Sequence, residues 1–171
     1  MELKIYPDAA LTQKCLDVEI GDTSVLPILD EMSEKLYELD GAGLAAPQVG
    51  ILKKLVVIDI RSEPSKLYKM INPKIVWASI DMMGSKEGCL SLPGLREMVI
   101  RHNKVRVEYY DENFEKRLIE AEDFLAFCLQ HEIDHLSGML YIDHLSRFKR
   151  NRFLEKFRKL QQEKAEGNNE K

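Results

Sequence analysis

Two histidines one helical turn apart constrain this chain more than any other feature. His131 and His135 flank Glu132 within an apolar run from Phe124 to Leu136. Residues four apart on an α-helix share one face, so both imidazoles can bind a single metal ion. Glu132 follows the first imidazole directly and can take a proton from a metal-activated water without binding the metal itself. The pattern therefore predicts a buried metal-binding helix, which Ser137–Gly138 would end.

The third metal ligand decides the class of enzyme. An extended zinc endopeptidase motif would need a histidine where Tyr141 stands, and His144 lies three residues too far along the chain. A thermolysin-like site would use a downstream carboxylate, for which Glu155 is the candidate. Cys89 is the better candidate, because it lies in a compact, glycine-containing segment and a thiolate is a good zinc or iron ligand. The endopeptidase alternative stays open, and loss of metal binding in Cys89→Ser would argue against it.

Composition places the chain among ordinary globular proteins. Its 171 residues predict a single domain, residues 1–171, and its net charge of −4 argues against general nucleic-acid binding. Three cysteines do not suggest a disulfide framework, and no stretch reads as a signal peptide or a membrane span. We therefore expect a cytoplasmic location with no membrane partner, where a cysteine can serve as a ligand.

The remaining pattern indicates helices at both ends of a set of strands. Residues 41–50 form a run of small residues that holds Gln48; this run is typical of a tight connection or of close approach to a ligand. We predict strands at 55–60, 68–72 and 74–80, with a break at Pro73, and a hairpin from 104–110 and 114–121. Helices are predicted from about residue 23 to residue 40 and over 146–162, and residues 163–171 are expected to fray.

Three motifs in a fixed order resemble those of bacterial peptide deformylases, and the resemblance runs from about residue 6 to residue 160. The matching segments are Gly41–Gln48, Glu87–Ser91 and His131–His135. Two positions depart from the family pattern, Ala42 in the first motif and Gly94 after the second. Such enzymes remove the formyl group from the N-terminal formylmethionine of nascent polypeptides and release formate. A non-catalytic metal-binding module is the remaining alternative, but it would need neither Glu132 nor Gln48.

The resemblance implies a role for each motif residue. Cys89, His131 and His135 would bind one divalent metal ion, with Fe²⁺ as the native ion and Zn²⁺ or Ni²⁺ as alternatives. Glu132 would transfer protons, while the Gln48 amide and the backbone N–H of Leu90 would stabilise the developing oxyanion. Glu87 would support a ligand and pair with Arg96.

The resemblance also implies how the substrate is held. The peptide would add as a strand beside the first motif and hydrogen-bond to Gly43. Its methionine side chain would enter an apolar pocket, for which the candidates are Leu44, Leu92, Arg96, Leu125, Phe127 and Cys128.

The implied fold is α+β, with antiparallel strands wrapped around the central metal-binding helix. One further helix lies in the N-terminal half and another at the C-terminus. The C-terminal helix, residues 146–162, carries seven basic residues and one acidic residue between Ser146 and Leu160. It could be an ordinary solvated face, or it could dock on the ribosome through phosphate contacts that read no nucleic-acid sequence.

Overall fold

Seven strands and three α-helices make up the fold. The computed structural model describes residues 1–169, the last three as backbone only. The helices are α1 (Leu26–Glu38), α2 (Asp123–Leu136) and α3 (Arg147–Asn169). The strands are β1 (Gly43–Ala45), β2 (Leu55–Ile58), β3 (Tyr68–Ala78), β4 (Met82–Cys89), β5 (Leu92–His102), β6 (Lys104–Tyr110) and β7 (Lys116–Glu122). They form a five-stranded antiparallel sheet in the order β1-β2-β3-β6-β7 and a separate β4-β5 hairpin, as expected for an α+β fold.

Helix α2 lies at the centre because two of its faces are buried. Ala126 and Leu129 pack into the core of the five-stranded sheet, against residues such as Val56 and Val107. Gln130 joins the helix to the hairpin, since its side chain donates to the backbone carbonyl of His102 (2.8 Å) and accepts from the N–H of that residue (3.1 Å). The predicted central helix is confirmed, and it begins one residue before the predicted start at Phe124.

Strand β1 has a free edge that faces the hairpin. The backbone N–H of Asp59 donates to the carbonyl of Ala42 (3.0 Å), and Leu44 lies opposite Val57 on β2. Hydrogen-bonded and non-bonded pairs alternate along antiparallel strands. The N–H and C=O of Gly43 therefore point away from β2, and they are available to another extended chain.

The structure differs from the sequence prediction in four strands, β1, β3, β4 and β5. Residues 68–78 form one continuous strand instead of two strands broken at Pro73. The ladder with β6 shifts register between Ile71 and Lys74, so proline falls at an irregularity where no backbone donor is needed. The side chain of Asn72 holds this bend by pairing with both backbone groups of Val18 (2.8 Å each). Strands β1, β4 and β5 were not predicted at all.

The C-terminal helix is longer than predicted. Phe153, Leu154 and Phe157 bury one side of it against the core that includes β5, whereas Phe148 is exposed and does not join this side. Instead of fraying after residue 162, the helix continues to Asn169; residues 163–166 are Glu, Lys, Ala and Glu, which favour a helix. The last two residues of the predicted frayed tail lie outside the described residues. Within residues 1–169, no helix has the length and apolar character that a membrane crossing needs.

Candidate active site

The three predicted metal ligands meet between β4 and α2. Cys89 ends β4, while His131 and His135 project from one face of α2. One ligand atom from each of the three side chains lies within 4.8 Å of the others. Cys89 Sγ is 3.4 Å from His135 Nε2. A thiolate and two imidazoles at this spacing fit a tetrahedral divalent metal ion with one position left for a water or substrate.

A buried carboxylate fixes the orientation of His131. Glu87 Oε2 lies 2.9 Å from His131 Nδ1, which leaves the other ring nitrogen to face the cysteine. The ring of Tyr141 stacks on the same imidazole, with centroids 5.8 Å apart. Such contacts from a carboxylate and a packed ring hold a metal-binding histidine in one orientation.

The partner of Glu87 is Arg101, and the predicted pairing with Arg96 is wrong. Arg101 makes a bidentate contact with the carboxylate, with N–O distances of 2.8 and 3.0 Å. Side chains alternate between the two faces of a strand, so Arg96 and Arg101, five residues apart on β5, point to opposite faces. Arg101 is buried on the face that Glu87 shares, and Arg96 is exposed.

The contacts of Arg101 continue to the protein surface. Its Nη1 donates to Asp134 Oδ2 at 2.6 Å, and the same carboxylate oxygen lies 2.7 Å from His144 Nε2. A chain of polar contacts thus runs from a half-exposed histidine through Asp134, Arg101 and Glu87 to His131. Asp134 is the fourth residue of the His131–His135 motif, and neither it nor Arg101 was predicted to take part.

The two imidazoles have opposite shifts in pKa. The pKa of His135 is well below its ordinary value, mainly because the ring is buried and also because His131 lies beside it. This ring is therefore neutral. Burial also opposes a charge on His131, but hydrogen bonds with Cys89 and Glu87 outweigh it and hold the pKa of His131 well above its ordinary value. A metal cation among the three ligands would displace that proton, because metal binding requires neutral imidazoles.

Glu132 is buried beside these ligands without being one of them. Its Oε2 has no hydrogen-bond partner among the described residues. A Cβ atom built on Gly43 would lie 2.5 Å from Glu132 Oε1, so the carboxylate packs directly against the backbone of the β1 edge. Burial raises the pKa of the Glu132 carboxyl to about 7. A carboxyl with this pKa can both accept and release a proton near neutral pH.

Gln48 is held with its amide nitrogen facing the cysteine. Its Oε1 accepts from the N–H of Ala45 at 2.9 Å, and its Nε2 lies 3.4 Å from Cys89 Sγ and 3.3 Å from Ser91 Oγ. The backbone thus fixes which end of the amide points inward. Leu90 follows Cys89 in the turn between β4 and β5 and lines the adjacent cavity. Ser91, the last residue of the second motif, was given no role from the sequence; it is buried and orients the amide.

A cavity of about 940 Å³ opens onto two of the three ligands, Cys89 and His131, and onto Glu132. Of the predicted substrate-binding residues, Gly43, Arg96, Phe127 and Cys128 line it. Burial raises the pKa of the Cys128 thiol far above its ordinary value, as expected of a wall residue and not of a ligand. Both departures from the deformylase pattern, Ala42 and Gly94, also line the cavity.

Three predicted pocket residues do not line this cavity. Leu44 and Leu92 are completely buried in separate core clusters. Leu125 packs against the core of the five-stranded sheet, because it lies on the side of α2 away from the histidines. Glu155, the carboxylate of the thermolysin-like alternative, is exposed on α3. Phe124, for which the sequence suggested only a place on the same helical stripe, does line the cavity.

Comparison with known proteins decides the family. Residues 1–151 match the family described as polypeptide deformylase. The chain belongs to this family. It is 44% identical over 160 residues to a peptide deformylase of Methylocella silvestris, covering 91% of this chain and 82% of that protein. It is 43% identical over 166 residues to a peptide deformylase of Bartonella tribocorum, covering 95% and 93% of the two chains.

A solved structure has the same fold. The crystal structure of a peptide deformylase from Ehrlichia chaffeensis superposes with a TM-score of 0.90 at 36% identity, covering 96% of this chain and 98% of that one. The chain is therefore a hydrolase that removes the N-formyl group from nascent polypeptides. Enzymes of this family are metalloenzymes, and Cys89, His131 and His135 form a candidate metal site.

Proposed function

We propose that Cys89, His131 and His135 hold the metal ion and that Glu132 is the proton-transfer group of the deformylation. The observation that carries this proposal is the combination of three convergent ligand atoms with a buried carboxylate whose Oε2 has no partner within the part of the chain that the structure describes. A structural metal site would leave no reason to bury Glu132 in this way, because an unpaired buried carboxylate costs stability.

Each protein group then has a defined part in the reaction. When bound, the metal lowers the pKa of a water molecule and polarises the formyl carbonyl. Glu132 takes the proton from the attacking water and later gives it to the departing amine. Gln48 Nε2 and the Leu90 N–H donate to the formyl oxygen as negative charge develops there. Loss of one such donor typically lowers the rate by about 10²–10³.

We propose that the peptide binds as an added strand at the edge of β1. The N–H and C=O of Gly43 face this edge, and the peptide backbone can pair with them. The methionine side chain would then lie against Phe127, Cys128 and the stem of Arg96, which line the cavity. Glu87 acts through His131, which it orients.

A pair of cysteine variants tests the metal assignment. Cys89→Ser should lose metal and activity together, whereas Cys128→Ser changes a wall of the same cavity and should keep the metal. Metal content per chain and formate release from a formyl-Met peptide are the measurements. Retention of metal and activity by Cys89→Ser would refute the ligand set and would favour an endopeptidase-like site.

We propose Fe²⁺ as the native ion. Cysteine and two histidines suit Zn²⁺ and Fe²⁺ alike, so the resemblance to the family carries this choice. Bound iron can reduce oxygen to species that oxidise the Cys89 sulfur, which would then cease to be a ligand. Activity should therefore fall on purification in air and persist under nitrogen, while a zinc-loaded control should be indifferent to air. Full activity in air with iron bound would contradict the proposal.

We also propose that α3 docks the enzyme on the ribosome. Between residues 147 and 160 of this helix six basic residues are exposed; they are Arg147, Lys149, Arg152, Lys156, Arg158 and Lys159. Arg150 is instead paired with Asp143 at 3.1 Å. A positive face on a chain of net charge −4 is suited to phosphate contacts.

Matched charge reversals test this docking. One variant changes Arg147, Lys149 and Arg152 to Glu. The control variant changes Lys14, Lys66 and Lys74 to Glu, so that the net charge of the protein changes by the same amount. Cosedimentation with ribosomes at low salt should be lost only in the first variant, while turnover of a free formyl-Met peptide stays the same. Equal pelleting of both variants would show that α3 is only a solvated face.

We propose a cytoplasmic location, which the three free cysteines support, because such thiols persist in reducing compartments. Cell fractionation with an antibody to the chain tests it, and recovery in a secreted or membrane fraction would contradict it.

A further inference from the structure

The outer face of the β4–β5 hairpin carries a patch of exposed apolar side chains. Met82, Met98 and Ile100 are 48%, 49% and 58% exposed. The register pairs Gly84 with Ile100 and Lys86 with Met98, so even-numbered residues of both strands share this face. The odd-numbered residues Ser85, Glu87, Val99 and Arg101 are buried on the opposite face, whereas Met83, near the end of the hairpin, is 47% exposed.

Methionine and glycine together make this face flat and adaptable. A Cβ atom built on Gly84 would come within 2.8 Å of Met98 Cε, which shows that the methionine side chain lies across the glycine. Isolated exposed apolar residues are normal on a protein surface, but neighbouring ones on one face indicate an interaction site. Methionine adapts its shape to different partners and suits a surface that accepts many sequences.

The patch is continuous with the cleft that contains the candidate active site. Lys86, Gly88 and Arg96 belong to the same face of the hairpin, and all three line the cavity. Lys86 lies directly opposite Met98, so the cavity wall passes into the patch without an intervening element. Because the two surfaces are continuous, we infer that the molecule bound at the patch also extends into the cleft.

The direction in which a peptide would run along the cleft also leads to this patch. At the inner end, the N–H of Ala45 is already bonded to Gln48 Oε1. At the outer end, the N–H of Gly41 donates to the carbonyl of Leu36, so Gly43 carries the free backbone groups of this edge. Gly88 and Lys86 line the same cavity as Gly43, so a strand that starts beside Cys89 and leaves the cavity on the side of the hairpin would border them. An extended chain advances about 3.3 Å per residue, so the hairpin from Gly88 to Gly84 spans about four substrate residues.

We propose that the face formed by Met82, Gly84, Met98 and Ile100 binds the downstream part of the formylated polypeptide, beyond the residues held in the cleft. The ligand is an extended peptide with apolar side chains at about its fifth to eighth positions. This inference rests on the proposed binding of the substrate along β1. It makes the enzyme more efficient on long apolar nascent chains than on short peptides.

The test compares two formyl-Met substrates, a tripeptide and a peptide of about ten residues with Leu, Phe and Val at positions five to eight. A double variant, Met98→Thr with Ile100→Thr, removes the patch but keeps β-forming residues. Leu118→Thr on β7 is the control, because Leu118 is 57% exposed on the other sheet. In the double variant the KM of the long peptide should rise about three- to tenfold, while kcat and all tripeptide constants stay at the wild-type values. Met98→Leu with Ile100→Leu should restore the low KM.

Three results would overturn the proposal. One is an unchanged KM for the long apolar peptide in the double variant. Another is an equal rise in KM for the tripeptide, which would place the effect inside the cleft. The third is a wild-type dimer in sedimentation velocity that the double variant abolishes, which would make a second copy of the chain the occupant. A wild-type enzyme that does not turn over the tripeptide would contradict the proposed function itself. Each of the three results above is therefore interpreted only with a wild-type enzyme that does turn it over.

Discussion

At the scale of single residues, Glu132 differs from the other carboxylates around it. Glu87 and Asp134 each accept from Arg101, so their charges are paired. Glu132 Oε2 has no partner among the described residues, and its carboxylate lies against the backbone at Gly43. A buried charge without a partner costs free energy, and the free energy of unfolding should therefore report it.

The metal-free protein should lose stability with rising pH because of Glu132. Burial raises the pKa of this carboxyl from 4.5 to about 7, so the folded state binds the proton more tightly than the unfolded state does. The protonated Glu132 carboxyl makes its full contribution to the free energy of unfolding below pH ~4.5, and this contribution is lost as the pH rises through ~7. Relative to Glu132→Gln, chelated wild-type protein should lose on the order of 1–3 kcal/mol across this window. Urea denaturation of both proteins at several pH values measures it, and a pH-independent difference would contradict the assigned burial.

Gly43→Ala should impair activity far more than a second strand-glycine variant does. The added methyl would clash with the Glu132 carboxylate, whereas the same change at Gly84 meets only the flexible end of Met98. We expect a loss of at least about tenfold in kcat/KM for Gly43→Ala with a tripeptide substrate, because small misplacements of a catalytic group are costly. Gly84→Ala should stay near wild type. Similar constants for both variants would show that Glu132 is not fixed by β1.

The sequence identified the chemistry of single residues better than their partners. Spacing alone placed both histidines on one face of a helix, because helical periodicity is a local property. The pairing of Glu87 depends on which residues of β5 face inward, and that depends on the register of a hairpin the sequence did not indicate. Arg101 was therefore missed, and Leu44 and Leu92 were assigned to a pocket although they belong to the core.

At the scale of elements, the site depends on how α2, β4 and β5 are joined. Arg101 on β5 contacts Glu87 on β4 and Asp134 on α2, and it is only 3% exposed. Removing it would leave the buried Glu87 and the partly buried Asp134 without this cation. Breaking a buried ion pair in this way typically costs about 3–5 kcal/mol.

Arg101→Met should therefore destabilise the protein by about 3 kcal/mol and weaken metal binding by about 10–100-fold through His131. Arg106→Met is a matched control, since Arg106 is half exposed and pairs with Glu120 on the surface of the sheet. Such surface pairs contribute at most about 1 kcal/mol. Thermal unfolding and metal titration by competition with a chelator measure both effects. Equal behaviour of the two variants would remove Arg101 from the support of the metal site.

Elements with a strong local pattern were predicted correctly, and elements that depend on tertiary contacts were not. Helix α2 and the β6–β7 hairpin have clear helical and alternating patterns. Strand β4 contains methionine, glycine, serine and lysine but no β-branched residue, so its sequence carries little strand signal. It is held by pairing with β5 and by the contact of Glu87 with Arg101, which a linear sequence does not reveal.

At the scale of the whole molecule, distant segments converge on one cavity. The N–H of Lys4 donates to the carbonyl of Gln48 (2.7 Å), and the N–H of Tyr6 donates to that of Ser91 (2.9 Å). The N-terminal arm thereby joins the loop that follows β1 to the turn that follows β4. Together with α2, these segments surround the metal ligands from three regions of the chain. The order of the three motifs indicated this convergence only through the family, because spacing along a chain does not give distance in space.

The most direct test of this account measures metal content and formate release in the same anaerobic preparations of wild type and Glu132→Gln. Glu132 is assigned to proton transfer and not to metal binding, and general acid–base catalysis contributes about 10²–10⁴-fold to the rate. Both proteins should therefore hold about one divalent metal ion per chain, while the variant releases formate at least ~10²-fold more slowly. Loss of the metal from Glu132→Gln, or retention of most of its activity, would contradict the assignment.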